Sequence, residues 1–255
     1  MAEKQYIGKA EVGAVVLAAG SGSRMNEKIA KQYLLLGGKP LIYYALRAFE
    51  ESDIAQIVLV VAGGHEDYCR KEIVERFGFS KVRTIVAGGS ERCDSVQAGL
   101  KALSGADYVL IHDAARPFVD QAMLVRTMEA VKAYQAVVVG MPVKDTIKIV
   151  DAYRTAVETP DRRSLWQVQT PQAFSYPLIR DAYDKVLSGR MNISQGSVSA
   201  SDEAARPLTD DAQVLELAYG KKCKLIEGSY RNIKVTTPED LEVAEVFCSR
   251  GHLLF

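Results

Sequence analysis

The sequence lacks the features that direct a chain into a membrane or onto a nucleic acid. Its longest apolar runs, 14–19 and 57–62, are far shorter than the roughly 20 residues that a membrane-spanning helix needs. Lys+Arg and Asp+Glu both number 32, so the formal net charge is zero and no overall field attracts the chain to a polyanion. We therefore expect no membrane partner and no nucleic-acid partner.

Cysteine is also scarce. The four cysteines show no CxxC spacing and have no neighbouring pair of histidines, which argues against a zinc site and a disulfide framework. Residues 1–11 mix glutamate and lysine without an apolar segment, so no secretory or transit peptide can be read there. These observations predict reduced thiols and a cytoplasmic location.

The 255 residues, 48% hydrophobic and 25% charged, suit one large globular domain or two small ones, and we treat 1–255 as a single domain. Apolar, β-branched runs alternate with segments of helical periodicity. The predicted strands are 13–19, 56–62, 83–87, 108–112 and 136–141, and the predicted helices are 41–51, 66–77, 92–103 and 122–134. This alternation predicts a Rossmann-like α/β fold, with a mostly parallel sheet and helices on both faces.

The alternation ends after Met141. Residues 142–166, here called the hairpin arm, contain two β-prone pieces, 146–150 and 154–158, which predict a protruding β-hairpin. A lone hairpin is marginally stable in water, so we expect the arm to pack on a second subunit and form a homodimer.

Residues 187–209 are polar, and we expect a mobile loop there. After this loop the sequence predicts two helices, the second beginning with Thr237 as its cap and Pro238 in its first turn. Two strands are predicted between the helices. The four elements are helix 211–218, strands 224–227 and 233–235, and helix 238–247.

Ligands of such sheets lie at the carboxyl ends of the strands. The loop after the first strand reads LAAGSGSRM, and its small residues allow backbone N–H groups to form an anion nest. Arg24 and Lys31 are two cations on this loop, which favours a triphosphate. The loop is not a Walker A motif, and Met25 stands where a GxGxxG fingerprint needs its third glycine. The alternative is a tight turn that binds nothing.

Two further loops follow strands at the same edge. In GGSERCDSV, the backbone of Gly89 and the hydroxyl of Ser95 suit the edge of a pyrimidine, although the segment also suits a simple helix start. In HDAARP, Asp113 suits magnesium, which favours one or two carboxylates with phosphate oxygens. The alternative there is a structural ion pair between Asp113 and Arg116. We expect His112 to be a packing residue.

Seven strings in one order carry a family resemblance. They are LAAGSGSRM with KQY, GGSERCDSV, HDAARP, KDTIK, DRRSLWQVQTPQ, LTDDA and NIKVTTPEDL. Together, from Ala14 to Val246, they resemble the 2-C-methyl-D-erythritol 4-phosphate cytidylyltransferase family of the non-mevalonate isoprenoid pathway. The HDAARP string and the LW before QTPQ favour this family over ribitol-5-phosphate cytidylyltransferases, which stay the alternative.

The resemblance implies transfer of CMP from CTP to methylerythritol phosphate, with release of pyrophosphate. It implies that Arg24, Lys31 and Lys234 stabilise the transition state and that Asp113 holds Mg²⁺ and contacts the substrates. The residues implied to surround CTP are Ala18, Ala19, Gly20, Gly22, Gly89, Ser95 and Ala114. The residues implied to bind the sugar phosphate are Thr170 and Thr209 from the same chain and Thr146 and Arg162 from the neighbouring subunit.

Two positions depart from the family pattern. Ser90 stands where some relatives carry an acid near the base, which shifts the cytosine amino contact towards the backbone. The segment 201–204, SDEA, imitates 209–212, TDDA, and we assign the second because a helical pattern follows it.

Two other classes are weighed against this reading. A nicotinamide dehydrogenase needs the glycine fingerprint that is missing. A silent nucleotide-binding regulator has no need of Arg24, Lys31, Asp113 and Lys234, which are all present.

Overall fold

The computed structural model describes residues 10–20, 30–194 and 208–250. The strands are β1 (Val12–Ala18), β2 (Leu35–Leu36), β3 (Lys39–Pro40), β4 (Gln56–Val61), β5 (Val82–Ala87), β6 (Tyr108–Asp113), β7 (Ala136–Pro142), β8 (Ile149–Val150), β9 (Ala156–Glu158), β10 (Trp166–Ser175) and β11 (Lys224–Glu227). The helices are α1 (Leu41–Glu50), α2 (Glu66–Tyr68), α3 (Arg92–Ala102), α4 (Gln121–Tyr134), α5 (Tyr176–Ser194), α6 (Asp211–Tyr219) and α7 (Pro238–Ser249).

The main sheet has the strand order β11-β7-β10-β6-β1-β4-β5. Its strands pair in parallel except at β10, which runs antiparallel to both β6 and β7. The predicted α/β class with a mostly parallel sheet is therefore confirmed. In the described residues no helix has both the length and the apolar character that crossing a membrane requires.

Both faces of the sheet are buried, which explains why its strands are apolar throughout. On β1, Ala14 and Val16 pack into one cluster with side chains of α1, α4 and α7. Val15 faces the opposite way and packs with side chains of α3, α5 and α6. Successive side chains of a strand point to opposite faces, so one strand contributes to both cores.

Side-chain caps fix the first residues of helices α4 and α7. Asp120 accepts a hydrogen bond from the N–H of Met123 at the start of α4, over 2.7 Å. Thr237 and Asp240 form a reciprocal capping box at the start of α7, and Pro238 occupies its first turn, as the sequence predicts.

Three predictions need correction. No strand was predicted for β10, whose polar residues and Pro171 hide the pattern. The predicted loop 187–209 is helical up to Ser194, because α5 continues, and residues 195–207 lie outside the description. The prediction of a strand at 233–235 is wrong. The backbone N–H groups of Ile233 and Val235 donate to the carbonyls of Arg231 and Ala115, and not to a neighbouring strand.

Part of the hairpin arm forms a separate two-stranded antiparallel sheet, β8 with β9. Its apolar side chains are exposed, including Val150 at 51% and Val157 at 61%. The predicted role of the arm and the single-domain boundaries 1–255 stay predictions.

Gly99 is expected to be essential for packing α3 against the sheet. A Cβ atom there would lie 2.4 Å from Cγ1 of Val15 and 2.9 Å from Cγ2 of Val60. Gly99→Ala should therefore lower the free energy of unfolding by about 1 to 3 kcal/mol, measured by urea denaturation. Gly189→Ala in α5 is the matched control, because open space surrounds its Cβ position and it should gain up to about 1 kcal/mol. Equal stability of the Gly99 variant and the wild type would contradict this packing.

Candidate active site

A cavity of about 430 Å³ opens at the carboxyl edge of the sheet. The chain runs outward from β1 to β4 and β5 and then returns to β6 on the other side of β1. Such a reversal leaves a crevice where α/β sheets bind ligands. The cavity is lined by Leu17, Ala18, Ala19, Gly20, Lys31, Gln32, Gly89, Ser90, Glu91, Arg92, Ser95, Asp113, Ala115 and Lys234.

A second, smaller cavity of about 90 Å³ shares Arg92, Asp113 and Lys234 with the first. Its other lining residues are Arg116, Val168, Gln169, Thr170, Gln172, Thr209 and Asp210. Two ligands, one in each cavity, would meet at the three shared residues.

Asp113 is the centre of the shared group. One carboxylate oxygen lies 2.7 Å from Nζ of Lys234 and the other 3.3 Å from Nε of Arg92. Burial by itself raises the pKa of Asp113, but the charges of Arg92 and Lys234 outweigh burial and hold the pKa well below its ordinary value. The carboxylate is therefore ionised at neutral pH.

Lys234 comes from a segment far along the chain that individual hydrogen bonds hold against the site. The N–H of Val235 donates to the carbonyl of Ala115 over 2.8 Å. The buried side chain of Asn232 donates to the carbonyl of Thr170 over 2.9 Å. These bonds on either side of Lys234 fix its backbone, so the ammonium group reaches Asp113.

Arg92 connects three parts of the fold. Its two terminal nitrogens donate to both carboxylate oxygens of Asp211, at 2.8 and 2.9 Å, while its Nε faces Asp113. Asp211 is fully buried and also accepts from the hydroxyl of Tyr183 over 2.6 Å. Burial lowers the pKa of Arg92, but the two carboxylates raise it well above its ordinary value, so the guanidinium stays charged.

His112 and Thr170 support Asp113 from below. The Thr170 hydroxyl accepts from the N–H of Asp113 and contacts Nδ1 of His112, both over 3.1 Å. Nε2 of His112 donates to the carbonyl of Arg116 over 3.1 Å. Nδ1 of the neutral ring therefore carries no hydrogen, and it accepts the hydrogen of the Thr170 hydroxyl. Burial lowers the pKa of His112 to about 4. The expectation of a packing histidine is confirmed.

The loop after β5 approaches β1 closely because it consists of glycines. A Cβ atom on Gly88 would lie 2.5 Å from Cβ of Ala19, and one on Gly89 would lie 2.2 Å from Cβ of Asp94. The hydroxyl of Ser95 accepts from the N–H of Gly89 over 3.2 Å. These contacts hold the loop as one wall of the cavity.

Lys31 lies on the opposite wall, in a short 3₁₀ turn, Lys31–Tyr33. The buried amide of Gln32 donates to the carbonyl of Ala18 over 2.6 Å. This bond ties the turn to the end of β1 and brings Lys31 to the cavity.

The structure brings together most of the predicted site residues. The larger cavity contains Ala18, Ala19, Gly20, Lys31, Gly89, Ser95, Asp113 and Lys234, and the smaller one contains Thr170 and Thr209. Ala114 lies beside the site but is fully buried, with its N–H donating to the carbonyl of Leu17. Thr146 and Arg162 line neither of these cavities. Gly22, Arg24 and the imitation segment 201–204 lie outside the described residues.

Reasoning from sequence missed Arg92, Gln32 and Asp211. Each is part of a string that carried the family resemblance, so a signal was present. The alternative of an ion pair between Asp113 and Arg116 is not what the structure shows, because Asp113 pairs with Lys234 and Arg92. Arg116 donates to the carbonyl of Asn232 over 2.7 Å, and its Nε is buried without a hydrogen-bond partner among the described residues.

Comparisons with known proteins agree with one another. The sequence profile of 2-C-methyl-D-erythritol 4-phosphate cytidylyltransferase matches residues 12–250. Enzymes of that name from Lachnospira eligens and Alkaliphilus metalliredigens are 47% and 44% identical to this chain, each over 92% of it and over 97% and 92% of their own lengths. The crystal structure of 4-diphosphocytidyl-2C-methyl-D-erythritol synthase from Anaerococcus prevotii superposes with a TM-score of 0.78 at 33% identity, covering 94% of this chain and 97% of that one.

Breaking the buried Arg92–Asp211 pair is expected to destabilise the protein. Asp211→Asn leaves the guanidinium with Asp113 as its one acidic partner, and we expect a loss of about 3 to 5 kcal/mol in the free energy of unfolding. Asp161→Asn is the matched control, because Asp161 also binds an arginine, Arg163, but on the exposed surface. It should leave the unfolding midpoint unchanged. Equal effects of the two variants would show that burial does not decide the strength of the pair.

Proposed function

The chain belongs to the 2-C-methyl-D-erythritol 4-phosphate cytidylyltransferase family, and from this premise we propose how its residues divide the work of the reaction. The enzyme transfers the cytidylyl group of CTP to 2-C-methyl-D-erythritol 4-phosphate, giving 4-diphosphocytidyl-2-C-methyl-D-erythritol and pyrophosphate. The relatives do not favour ribitol 5-phosphate as the acceptor. The observation that carries the division of roles is that two adjoining cavities share Arg92, Asp113 and Lys234.

The larger cavity receives CTP. Ala18, Ala19 and Gly20 line it, and their small side chains allow the backbone to approach the phosphates. Gly22 follows in the same glycine-rich sequence and is assigned to CTP with them. Gly89 and Ser95 line the same cavity, and we assign them to the base. Ala114 is fully buried beside the cavity, with its N–H bonded to Leu17. A cavity of this size is typical of small-molecule sites.

The cations act on the α-phosphorus. Lys31 and Lys234 line the cavity from opposite ends of the sequence, and Arg24 belongs to the same glycine-rich loop. The α-phosphorus gains negative charge when the acceptor oxygen attacks, so fixed positive groups stabilise the transition state more than the bound substrates. The acceptor oxygen belongs to a phosphate that is already anionic, and no general base is required.

Asp113 fits the role of a magnesium ligand. It is ionised, it lines the CTP cavity, and each carboxylate oxygen keeps a lone pair beyond those used by Lys234 and Arg92. The described residues contain no cluster of three or more metal-ligating side chains. Magnesium is commonly held by one or two carboxylates together with substrate phosphates. When bound, the ion would neutralise charge on the triphosphate and the departing pyrophosphate.

The smaller cavity receives the sugar phosphate. Thr170 and Thr209 line it, with their hydroxyl hydrogens directed to His112 and Gln213. The buried Nε of Arg116, which has no hydrogen-bond partner among the described residues, is a donor in the same wall. A buried donor without a partner favours a ligand that supplies an acceptor. The position of this cavity next to Asp113 and Lys234 brings the acceptor to the α-phosphorus.

The hairpin arm completes the site of a neighbouring subunit in a homodimer. Arg162 donates to the carbonyl of Lys144 over 2.7 Å, so its guanidinium lies across the base of the arm, two residues from Thr146. A hydroxyl and a guanidinium together suit a phosphate. Neither Thr146 nor Arg162 lines either of the two cavities of its own chain. The arm also exposes apolar side chains that a partner subunit would cover.

The cytoplasm is the proposed compartment. All four cysteines belong to the described residues and are free thiols, with Cys69 and Cys93 buried. Reduced cysteines that pack as small apolar side chains are typical of intracellular proteins.

Lys31→Ala is expected to lower kcat by two to three orders of magnitude while CTP still binds. Removal of one preorganised donor from a developing charge costs about 3 to 4 kcal/mol. Pyrophosphate release measures turnover, and equilibrium titration with CTP measures binding. Lys71→Ala is the control and should keep full turnover, because Lys71 is an exposed residue of the π-helical segment Cys69–Glu75 and lines neither of the two cavities. Near-normal turnover of the Lys31 variant would contradict its assignment.

Arg162→Ala should raise the KM for methylerythritol phosphate strongly and leave CTP affinity intact. Arg163→Ala is the control and should change neither, because the guanidinium of Arg163 pairs with Asp161.

Mixing two inactive variants tests whether each site is shared between two subunits. A mixture of Arg162→Ala and Lys31→Ala should recover up to about one quarter of wild-type activity, because half the dimers are mixed and each has one intact site.

Subunit exchange is verified by native mass spectrometry of the mixture. Exchange without recovered activity would show that Arg162 acts within its own subunit.

A further inference from the structure

We propose that Tyr230 is a positioning residue for the active site of the neighbouring subunit, because it holds the base of the hairpin arm where Arg162 lies. The inference rests on the proposed homodimer, in which the arm supplies Arg162 and Thr146 to the partner's sugar-phosphate cavity. Tyr230 touches neither substrate in this account and acts through the arm.

Tyr230 makes two contacts with the first leg of the arm. Its hydroxyl donates to the carbonyl of Pro142 over 2.8 Å. Nζ of Lys144 lies over its ring, 3.5 Å from the ring centroid. An ammonium group this close to an aromatic face is attracted by the ring. One side chain from late in the sequence therefore holds two positions at the start of the arm.

Lys144 connects Tyr230 to Arg162. The guanidinium of Arg162 donates to the carbonyl of Lys144 over 2.7 Å. A guanidinium binds a phosphate through parallel hydrogen bonds of fixed geometry, so a shift of the residue that supports it weakens the contact. The contacts thus run from the ring of Tyr230 to Lys144, and from Lys144 to the group that binds the sugar phosphate.

The backbone of the arm supports these residues only from a distance. The N–H of Val143 donates to the carbonyl of Leu165 over 3.0 Å, and the two legs form their next strand pairing in the small sheet of β8 with β9. Lys144 and Arg162 lie between these two pairings. A two-stranded ribbon is marginally stable by itself, so a contact from outside the arm helps to fix the residues in this interval.

Tyr230 is itself held by the main sheet of its own chain. The N–H of Gly228 donates to the carbonyl of Gly140 over 2.9 Å, and the side-chain amide of Gln169 donates to the carbonyl of Ser229 over 2.7 Å. These bonds extend the pairing of β11 with β7 up to the residue before Tyr230. The ring is therefore a fixed support on which the arm rests.

Tyr230 also lies four residues before Lys234, so an effect on its own site is the alternative. The bonds that hold the Lys234 backbone come from Asn232 and Val235, and neither bond involves the ring or the hydroxyl of Tyr230. Loss of the Tyr230 side chain should therefore weaken sugar-phosphate binding in the partner's site. It should leave the CTP cavity of its own chain intact.

Tyr230→Ala should raise the KM for methylerythritol phosphate about fivefold to tenfold, because a hydrogen bond and a cation–π contact are lost. Both kcat and CTP affinity should stay within about twofold of the wild type. Tyr230→Phe keeps the ring beneath Lys144 and should raise the KM about twofold to threefold. Tyr219→Ala is the matched control and should leave the KM unchanged. Tyr219 is 42% exposed against 40% for Tyr230, and its ring also lies beneath a lysine, Lys185, but in α6.

Mixed dimers separate the partner's site from the chain's own site. In a mixture of Lys31→Ala with Arg162→Ala, the intact site of each mixed dimer takes its arm from the Lys31→Ala subunit, here called the arm-donating subunit. Tyr230→Ala placed in the arm-donating subunit should raise the KM of this site about fivefold to tenfold. The same change placed in the other subunit should leave the KM and kcat unchanged. The activity of each homodimer is measured alone and subtracted.

Two results would overturn the inference. One is an unchanged KM when Tyr230→Ala is in the arm-donating subunit. The other is an equal or larger effect when the change is in the other subunit, since Tyr230 would then act through Lys234 or through the fold in general. Failure of the proposed shared site is a separate observation, because the parent mixture without a Tyr230 change then recovers no activity although subunits exchange. That result would overturn both proposals, whereas the first two leave the shared site standing.

Discussion

The carboxylate of Asp113, paired with Lys234 and Arg92 in a mostly buried setting, is the interaction on which the arrangement of the site depends. A buried negative charge is costly unless it is paired, and each pairing here ties a different part of the chain to the end of β6. Arg92 anchors the start of α3 and, through Asp211, the start of α6. Lys234 anchors the segment that precedes α7. These ion pairs thus hold three separate parts of the chain together at the carboxyl edge of the sheet.

The supporting hydrogen bonds leave Asp113 little freedom. Thr170 accepts from its backbone N–H, and this same hydroxyl bonds His112, which is kept neutral by burial. Thr170 itself lies where the register of β10 with β7 shifts, between Val168 and Gln172. Bulges of this kind re-aim side chains next to active sites. Preorganisation of the charges is what allows them to favour a transition state over bound substrates.

The central fold could be predicted from the sequence because strands buried on both faces are apolar throughout, and β1, β4, β6 and β7 all show that pattern. β10 could not be predicted, since a strand that bulges into the site carries polar residues and a proline. Local sequence pattern was likewise insufficient to predict the whole site. Residues on loops after strands were predicted, whereas the partnership of Arg92 with Asp211 joins positions 119 apart in sequence, and local pattern does not reveal it.

The hydrogen bonds that hold Lys234 have a consequence for synthesis of the protein. The centre combines groups from β6, from α3 and from a segment that follows β11. A nascent chain that has emerged from the ribosome only as far as β10 contains Asp113 and Arg92 but lacks their partners Lys234 and Asp211. The charges of this centre are therefore fully paired only after the last segments have folded onto the sheet.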